Sequence, residues 1–249
     1  MFFLFRLVRV LRHLNPDVFH GYLDLPNILV YLTRKFLMKT ITIWGIRGSK
    51  KNLNEYDWMA RLMATLESFL CHFPDVILVN SKAGFKHAVK RGFPENKMVV
   101  IPNGINLEVF RPDREAGKKI RAEWGIRENQ ILIGLVGRLH PEKDHRTFLK
   151  AASLFVKDIK NTRFVCVGNG PESYKSGLMN FAKQIGVSDY LLWIDPRPDM
   201  SSVYNALTIN TSSSITEGFS NVIAEAMACG VPCVVTDVGD SAWIVGETG

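Results

Sequence analysis

The 249-residue chain is 47% hydrophobic and 22% charged, with a formal net charge of +7. That is the composition of a globular protein able to bury one large core or two modest ones, and it excludes a disordered or fibrous chain. The charge is polarised: residues 1–100 carry 15 Lys and Arg against 7 Asp and Glu, whereas residues 201–249 carry no basic residue and 5 acidic ones. A one-signed excess suggests attraction to an anionic surface or ligand. Nucleic acid is set aside as the partner, because the chain has no zinc-finger spacing, no RNP-like aromatic strand and no dense Lys/Arg run interleaved with aromatics.

In chain order, residues 1–14 ("MFFLFRLVRVLRHL") are apolar but interrupted by Arg6, Arg9 and Arg12, unlike a signal peptide. On a helical wheel Arg6, Arg9, Arg12 and His13 fall mostly on one side and Phe and Leu on the other. Such a helix either lies in a membrane interface or packs on a sheet with a solvated basic face. No apolar run approaches the roughly 18–20 residues that span a bilayer. Strands are predicted at 17–22, 40–46, 75–80, 98–103, 131–137, 163–168, 190–194, 206–213 and 232–237. Helical apolar spacing separates most of them, as in "DWMARLMATLESFL", "HRTFLKAASLFVKDI" and "ESYKSGLMNFAKQIG". Regular alternation of this kind predicts an α/β protein with parallel sheets flanked by helices. The pattern lapses over 106–130, where a Pro, two Gly and many charges suit a boundary, so two domains are expected, 1–107 and 108–249. Cys71, Cys166, Cys229 and Cys233 lie in apolar settings without C-x-x-C spacing, which reads as buried thiols in a reducing cytoplasm.

In parallel sheets ligands bind outside the carboxyl ends of the strands, where loops lead into helix N-termini. Three such loops are rich: 137–144 ("GRLHPEKD"), 168–171 ("GNGP") and 212–221 ("SSSITEGFSN"). A helix starting near Ser220 would offer its first amides and its dipole to a phosphate, with Gly218 allowing close approach. Glu217 would stand just ahead of that helix and Glu225 about one and a half turns inside it. Carboxylates do not bind phosphate, so these two suit sugar hydroxyls at the two ends of a diphosphate, which describes a nucleotide-diphosphate sugar. Arg138 and Lys143 would neutralise the diphosphate and stabilise it as it leaves. No D-x-D pair follows a strand: Asp195 and Asp199 are four apart and Asp237 and Asp240 three apart. Neither a metal nor another cofactor is expected.

These motifs resemble a known family. Gly137-Arg138-Leu139 with Glu142-Lys143, Gly168-Asn169-Gly170-Pro171, Glu217-Gly218-Phe219 with seven residues between Glu217 and Glu225, and "AMACGVPCVVTDVG" look like the retaining glycosyltransferases of family 4, of two-domain GT-B architecture. In the front half "PDVFH", "WGIRGS", "DVILVNS" and "VVIPNGINLEVFRP" resemble the acceptor-side domain of that family. The resemblance implies two Rossmann-like domains, 1–107 on the acceptor side and 108–249 for the donor. It implies diphosphate contacts from Arg138 and Lys143, with Gly137, Gly168, Asn169 and Gly170 in the donor loops. Glu217 would face the hydroxyls and reacting face of the donor sugar, and Glu225 the ribose. The backbone of Gly218, Phe219, Ser220 and Asn221 would meet phosphate and sugar, and Arg197 would approach the base. His20 is either a core histidine at a strand end or a donor to the reacting sugar. Each of these side chains also admits a purely structural role.

The implied reaction moves a sugar, with retained configuration and without a metal, from a UDP- or GDP-sugar to a polysaccharide, oligosaccharide or lipid-linked acceptor. It would belong to cell-envelope polysaccharide synthesis, in the cytoplasm or at the inner face of the membrane, with peripheral membrane contact through the basic N-terminal half. Two other readings stay open: a sugar-nucleotide epimerase of the same architecture, and a non-catalytic fragment that binds nucleotide-sugar. The chain departs from the family pattern in reaching its "DVFH" strand at residue 17 and in stopping at "VGETG", so truncation at both ends and an incomplete N-terminal domain are expected. It also has Tyr22 where many relatives carry a second histidine.

Overall fold

The computed structural model describes residues 2–37, 39–47 and 58–247. The chain divides into two compact units, Met1–Asn103 and Gly104–Gly249.

The front unit runs α1 (Phe2–Leu14), β1 (Val18–Tyr22), α2 (Asp24–Arg34), β2 (Ile41–Ile46), α3 (Trp58–Leu70), β3 (Val76–Val79), α4 (Lys82–Lys90) and β4 (Met98–Val100). Its strands form a parallel sheet in the order β1-β2-β3-β4. Trp44, Ile46, Ile77, Val79 and Met98 bring strand side chains into a core completed by Val30, Leu70, Ala88 and Phe93. One buried stripe residue of α3 is an acid: Glu67 is 1% exposed. Its carboxylate is held by the Arg91 guanidinium (3.1 Å) and the Asn27 amide (2.9 Å), which offset its desolvation. On α1 only Leu11 is buried, while Phe2, Phe3 and Phe5 are exposed.

The second unit runs α5 (Arg114–Glu123), β5 (Ile131–Val136), α6 (His145–Asp158), β6 (Thr162–Val167), α7 (Glu172–Gln184), β7 (Leu191–Ile194), α8 (Met200–Ala206), β8 (Ile209–Ser212), α9 (Asn221–Ala228), β9 (Cys233–Val235) and α10 (Ser241–Val245). All its strands are parallel, in the order β7-β6-β5-β8-β9. Successive strand residues point to opposite faces. Leu132, Val165 and Val167 therefore pack with Ile120, Val203, Tyr204, Ile223 and Ala226 of α5, α8 and α9. Ile133, Leu135, Phe164 and Cys166 pack on the other face with Phe148, Leu149, Leu178 and Ala182 of α6 and α7. This is a doubly wound, Rossmann-like sheet with helices on both sides.

Several expectations are corrected. The division between the units falls after Asn103, and the 106–130 stretch, where no helix was expected, contains α5, a helix of the second unit capped by Asp113, whose carboxylate accepts from Ala116 N at 2.9 Å. The strand expected over 98–103 stops at Val100, because Pro102 has no amide to continue the ladder. The strand expected over 206–213 starts only at Ile209, since Ala206 still ends α8. His20 is not at a strand end but mid-strand in β1, opposite Ile43. Part of the "WGIRGS" motif, residues 48 and 49, lies outside the described residues, as do 248 and 249. All four cysteines are free and buried, and burial pushes their thiols up.

Candidate active site

In the second unit β5 and β8 are neighbours, yet the chain leaves β5 toward β6 on one side and β8 toward β9 on the other. At such a switch point the two following loops diverge and leave a crevice at the carboxyl edge. The loops after β5 and β8 carry Arg138 with Lys143 and Glu217, respectively.

Hydrogen bonds stitch those loops together. Ser213 Oγ donates to the carbonyls of Lys143 and Asp144, both at 2.9 Å, and Ile215 N donates to Glu142 O at 2.9 Å. The side chains then meet: Lys143 Nζ and Ser214 Oγ (2.7 Å) both donate to Glu217 Oε1. The Glu217 and Lys143 side chains are 11% and 19% exposed, so this pair is shielded from solvent without being sealed from a ligand. Two further contacts brace Glu217 from behind. Thr236 Oγ1 donates to Ser214 O at 2.6 Å, and Asp240 N to Gly218 O at 3.0 Å. Gly239, at φ +61°, lies so close that a Cβ there would stand 2.2 Å from Glu217 O.

The third loop supports the first. Gly137 N donates to Val167 O (2.9 Å) and Leu139 N to Asn169 O (2.8 Å), so 137–139 runs along 167–169. A Cβ on Gly168 would sit 1.9 Å from Gly137 O, and one on Gly170 2.2 Å from Leu139 O. The glycines of the 168–171 motif thus permit backbone-to-backbone packing beneath Arg138. Arg138 itself is exposed, and among the described residues no carboxylate pairs with it. The Lys143 chain runs back past Gly137, 3.6 Å from where a Cβ would stand.

Helix α9 begins at Asn221, as the sequence suggested, with Ser220 as a nearly buried N-cap whose side chain makes no cap hydrogen bond. One and a half turns on, Glu225 is half-buried and its Oε2 accepts from the Tyr204 hydroxyl of α8 at 2.7 Å. Burial pushes the Glu225 carboxyl up, and the tyrosine hydrogen bond works against that. The arrangement offers two cations, a set of helix-start amides and two carboxylates at the carboxyl edge of one sheet. Cations and amides suit an anionic diphosphate, and carboxylates suit hydroxyl donors.

Not every expected residue joins this cluster. The Arg197 guanidinium is chelated by Asp199 (2.9 and 3.0 Å) and also paired with Glu123, and these hydrogen bonds hold it above its ordinary pKa. No contact links it to the loops around Lys143 and Glu217 among the described residues. His20 belongs to the front unit. There its Nε2 is buried without a hydrogen-bond partner, its ring lies 3.9 Å from that of Tyr22, and burial, aided by Arg47, lowers its pKa. The imidazole is therefore neutral near pH 7. Among the described residues no three His, Cys, Asp or Glu side chains converge as a metal site would require. Sequence reasoning passed over Ser213, Ser214, Tyr204 and Gly239. The serine run was visible, but which hydroxyl braces which loop depends on partners about 70 residues away.

Two parallel, helix-flanked Rossmann-like units, with the loop cluster at the switch point of the second, define a GT-B protein. The model of glycosyl transferases group 1 matches residues 130–249, and that of glycosyltransferase family 4 matches residues 1–109. An Escherichia coli UDP-Gal:alpha-D-GlcNAc-diphosphoundecaprenol alpha-1,3-galactosyltransferase is 30% identical over 151 residues, covering 60% of this chain and 39% of that protein. A D-inositol 3-phosphate glycosyltransferase of Corynebacterium glutamicum (strain R) is 32% identical over 186 residues, covering 70% and 44%. The fold is similar to that of Anabaena HepE in complex with UDP and glucose, with a TM-score of 0.83 at 19% identity over 99% of this chain and 65% of that one. It is also similar to sucrose-phosphate synthase from Thermosynechococcus elongatus, with a TM-score of 0.80 at 18% identity over 97% and 61%. The chain belongs to the GT-B glycosyltransferases of family 4. Its matches span less than half the length of those two curated relatives.

Proposed function

We propose that this chain transfers a sugar from a UDP- or GDP-sugar to a glycan or lipid-linked acceptor, with retention of anomeric configuration and without a metal. The observation that carries this reading is the meeting of Lys143 and Glu217 from the two loops that diverge at the switch point. Arg138 and Lys143 hold the donor diphosphate together with the first amides of α9, around Phe219, Ser220 and Asn221. As the sugar C1–oxygen bond to the diphosphate breaks, negative charge grows on the leaving oxygen, so these cations stabilise the transition state more than the bound donor. The acceptor hydroxyl attacks C1 from the face the diphosphate leaves, and its proton passes to a diphosphate oxygen. Glu217, fixed by Lys143 and Ser214, accepts from sugar hydroxyls and sets the orientation of C1. Glu225 accepts from the ribose.

The names of the relatives support a sugar-nucleotide donor and a phosphate-bearing acceptor: one uses UDP-Gal and a diphosphoundecaprenol-linked sugar, the other inositol 3-phosphate. Exposed Phe2, Phe3 and Phe5 beside Arg6 and Arg9 suit the surface of an anionic membrane, which would set the reaction at its cytoplasmic face. Binding to phosphatidylglycerol vesicles but not to phosphatidylcholine vesicles is expected, and equal binding would remove that part.

The central test is thermal shift against UDP, GDP, ADP and their sugars, because a ligand that binds only the native state raises its melting point. A shift with UDP or GDP that Arg138→Ala and Lys143→Ala each diminish is expected. No shift with any nucleotide, or shifts unchanged in both variants, would overturn the assignment.

A further inference from the structure

Of the two candidate ligand-binding carboxylates, Glu217 is held by Lys143 and Glu225 by no cation among the described residues. Its partner is a neutral phenol: Tyr204 Oη donates to Oε2 at 2.7 Å, while Oε1 makes no hydrogen bond among the described residues. Tyr204 is 1% exposed. Its ring is clamped in the core formed by Ile120, Leu132, Val203 and Ile223, and it faces Phe110 at a centroid distance of 6.0 Å. Two rotatable bonds locked by packing leave the hydroxyl oxygen one position to occupy. Burial, and then the Glu225 charge beside it, raise the phenol pKa, so the hydroxyl stays a donor at any physiological pH.

The consequence for Glu225 is geometric. A glutamate on a helix surface samples many rotamers, and a ligand that uses it must bear the cost of ordering it. Here one carboxylate oxygen is already fixed on a rigid donor, so the second points along a defined direction. The charge also matters, because a half-buried carboxyl is pushed toward its neutral form, and a hydrogen bond to the anion pulls it back. The other groups close to this pair are the thiols of Cys229, the C-cap of α9, and Cys233 of β9, which are buried and protonated, and the Ser201 hydroxyl of α8, 3.8 Å from Cys229 Sγ. None supplies a positive charge, so the tyrosine is the group that keeps Glu225 an acceptor.

We infer that Tyr204 is the positioning residue for nucleotide recognition: by occupying Oε2 of Glu225 it aims Oε1 at the vicinal hydroxyls of the donor's ribose. This rests on the proposal that Glu225 meets the ribose, and the experiment separates the two. UDP and GDP, and their 2′,3′-dideoxy counterparts, are titrated calorimetrically into wild type, Tyr204→Phe and Glu225→Gln. Wild type should prefer the hydroxylated form of its nucleotide at least tenfold. Glu225→Gln should abolish most of that preference. Tyr204→Phe should reduce it three- to tenfold while leaving dideoxy affinity unchanged, which also shows that the variant is folded. Removing the donor raises the Glu225 pKa, so the remaining preference in Tyr204→Phe should fade at a higher pH than in wild type as pH is lowered. If Tyr204→Phe does not fold, Glu225→Asp breaks the same contact by shortening the carboxylate arm and should show the same selective loss. Full preference in Glu225→Gln would overturn the ribose reading. Loss there with full preference in Tyr204→Phe or Glu225→Asp would overturn the role of Tyr204 alone.

Discussion

The packing of the 168–171 loop under the Arg138 loop makes one substitution decisive. In Gly168→Ala the new methyl would lie 1.9 Å from Gly137 O, a contact that must open to about 3.4 Å before it becomes ordinary. The carbonyl cannot retreat freely, because Gly137 N and Leu139 N are bonded on either side of it to Val167 O and Asn169 O. Overpacking of this kind costs about 1–3 kcal/mol, and each ladder bond lost adds about 1 kcal/mol. Gly168 also sits at φ +151°, where a side chain is disfavoured. A total near 3 kcal/mol in a unit of this size lowers the melting temperature by roughly 10 °C. The movement also displaces Arg138, so UDP or GDP affinity should fall about tenfold. Gly177→Ala is the control: Gly177 lies exposed within α7 with no atom within 4 Å of its would-be Cβ. There the same methyl raises helix propensity and should stabilise by up to about 1 kcal/mol, or roughly 3 °C. Calorimetric melting of both variants decides. A Gly168→Ala protein that melts within a degree or two of wild type refutes the backbone-to-backbone packing.

Glu217→Ala should abolish sugar transfer while nucleotide binding stays measurable by calorimetry, and retained transfer would dismiss its role at the sugar. Arg91→Ala leaves Glu67 buried with Asn27 but without its guanidinium and should destabilise the front unit by about 3 kcal/mol in urea unfolding. A cost below 1 kcal/mol would mean that the pair is not buried. His145 is fully buried beside Lys143 with both ring nitrogens unpartnered, and burial, then Lys143, lowers its pKa to about 4. The unfolded state therefore takes up the proton first as pH falls, and stability is lost between about pH 6.5 and 4 by about 3 kcal/mol. His145→Leu should flatten unfolding free energy across that window, and an unchanged slope would place the acid lability elsewhere.

Much of the second unit was legible because its central strands β5 and β6 are mostly apolar on both faces. Runs such as Ile131–Val136 and Thr162–Val167 can only be covered strands, and each is followed by glycine. The start of α9 was legible from Gly218 and Ser220. Helix α5 was not, because it packs mainly through Ile120 and Gly117 while its other positions are largely charged, so its apolar stripe is too thin to register as a period. Glu67 hid for the opposite reason: an acid on a buried stripe looks like a surface position until Arg91 and Asn27 are folded against it. The site followed the same rule. Lys143 and Glu217 were marked by their loops, but their mutual contact spans 74 residues and is created by strand order, which no local spacing encodes. Tyr204 reads as one more core aromatic, because its hydroxyl acquires a partner only when α8 and α9 pack on the same face of the sheet.

On the proposed reading, the Lys143–Glu217 contact explains why a carboxylate stands beside the cations that would meet the diphosphate. Lys143 is not a bare cation awaiting phosphate, since Glu217 already shares it, and the pair is close to neutral. On the proposed reading, a nucleoside diphosphate alone would bring negative charge to Lys143 with Glu217 facing it across little more than a contact distance, a like-charge approach that low exposure leaves poorly screened. A sugar attached to the diphosphate changes the balance, because its hydroxyls stand between the two anions and donate to the carboxylate. Glu217 then acts as a selector for the sugar-bearing nucleotide as well as an orienting group. Ser214 matters to both roles, because its hydroxyl keeps Glu217 Oε1 on the Lys143 side.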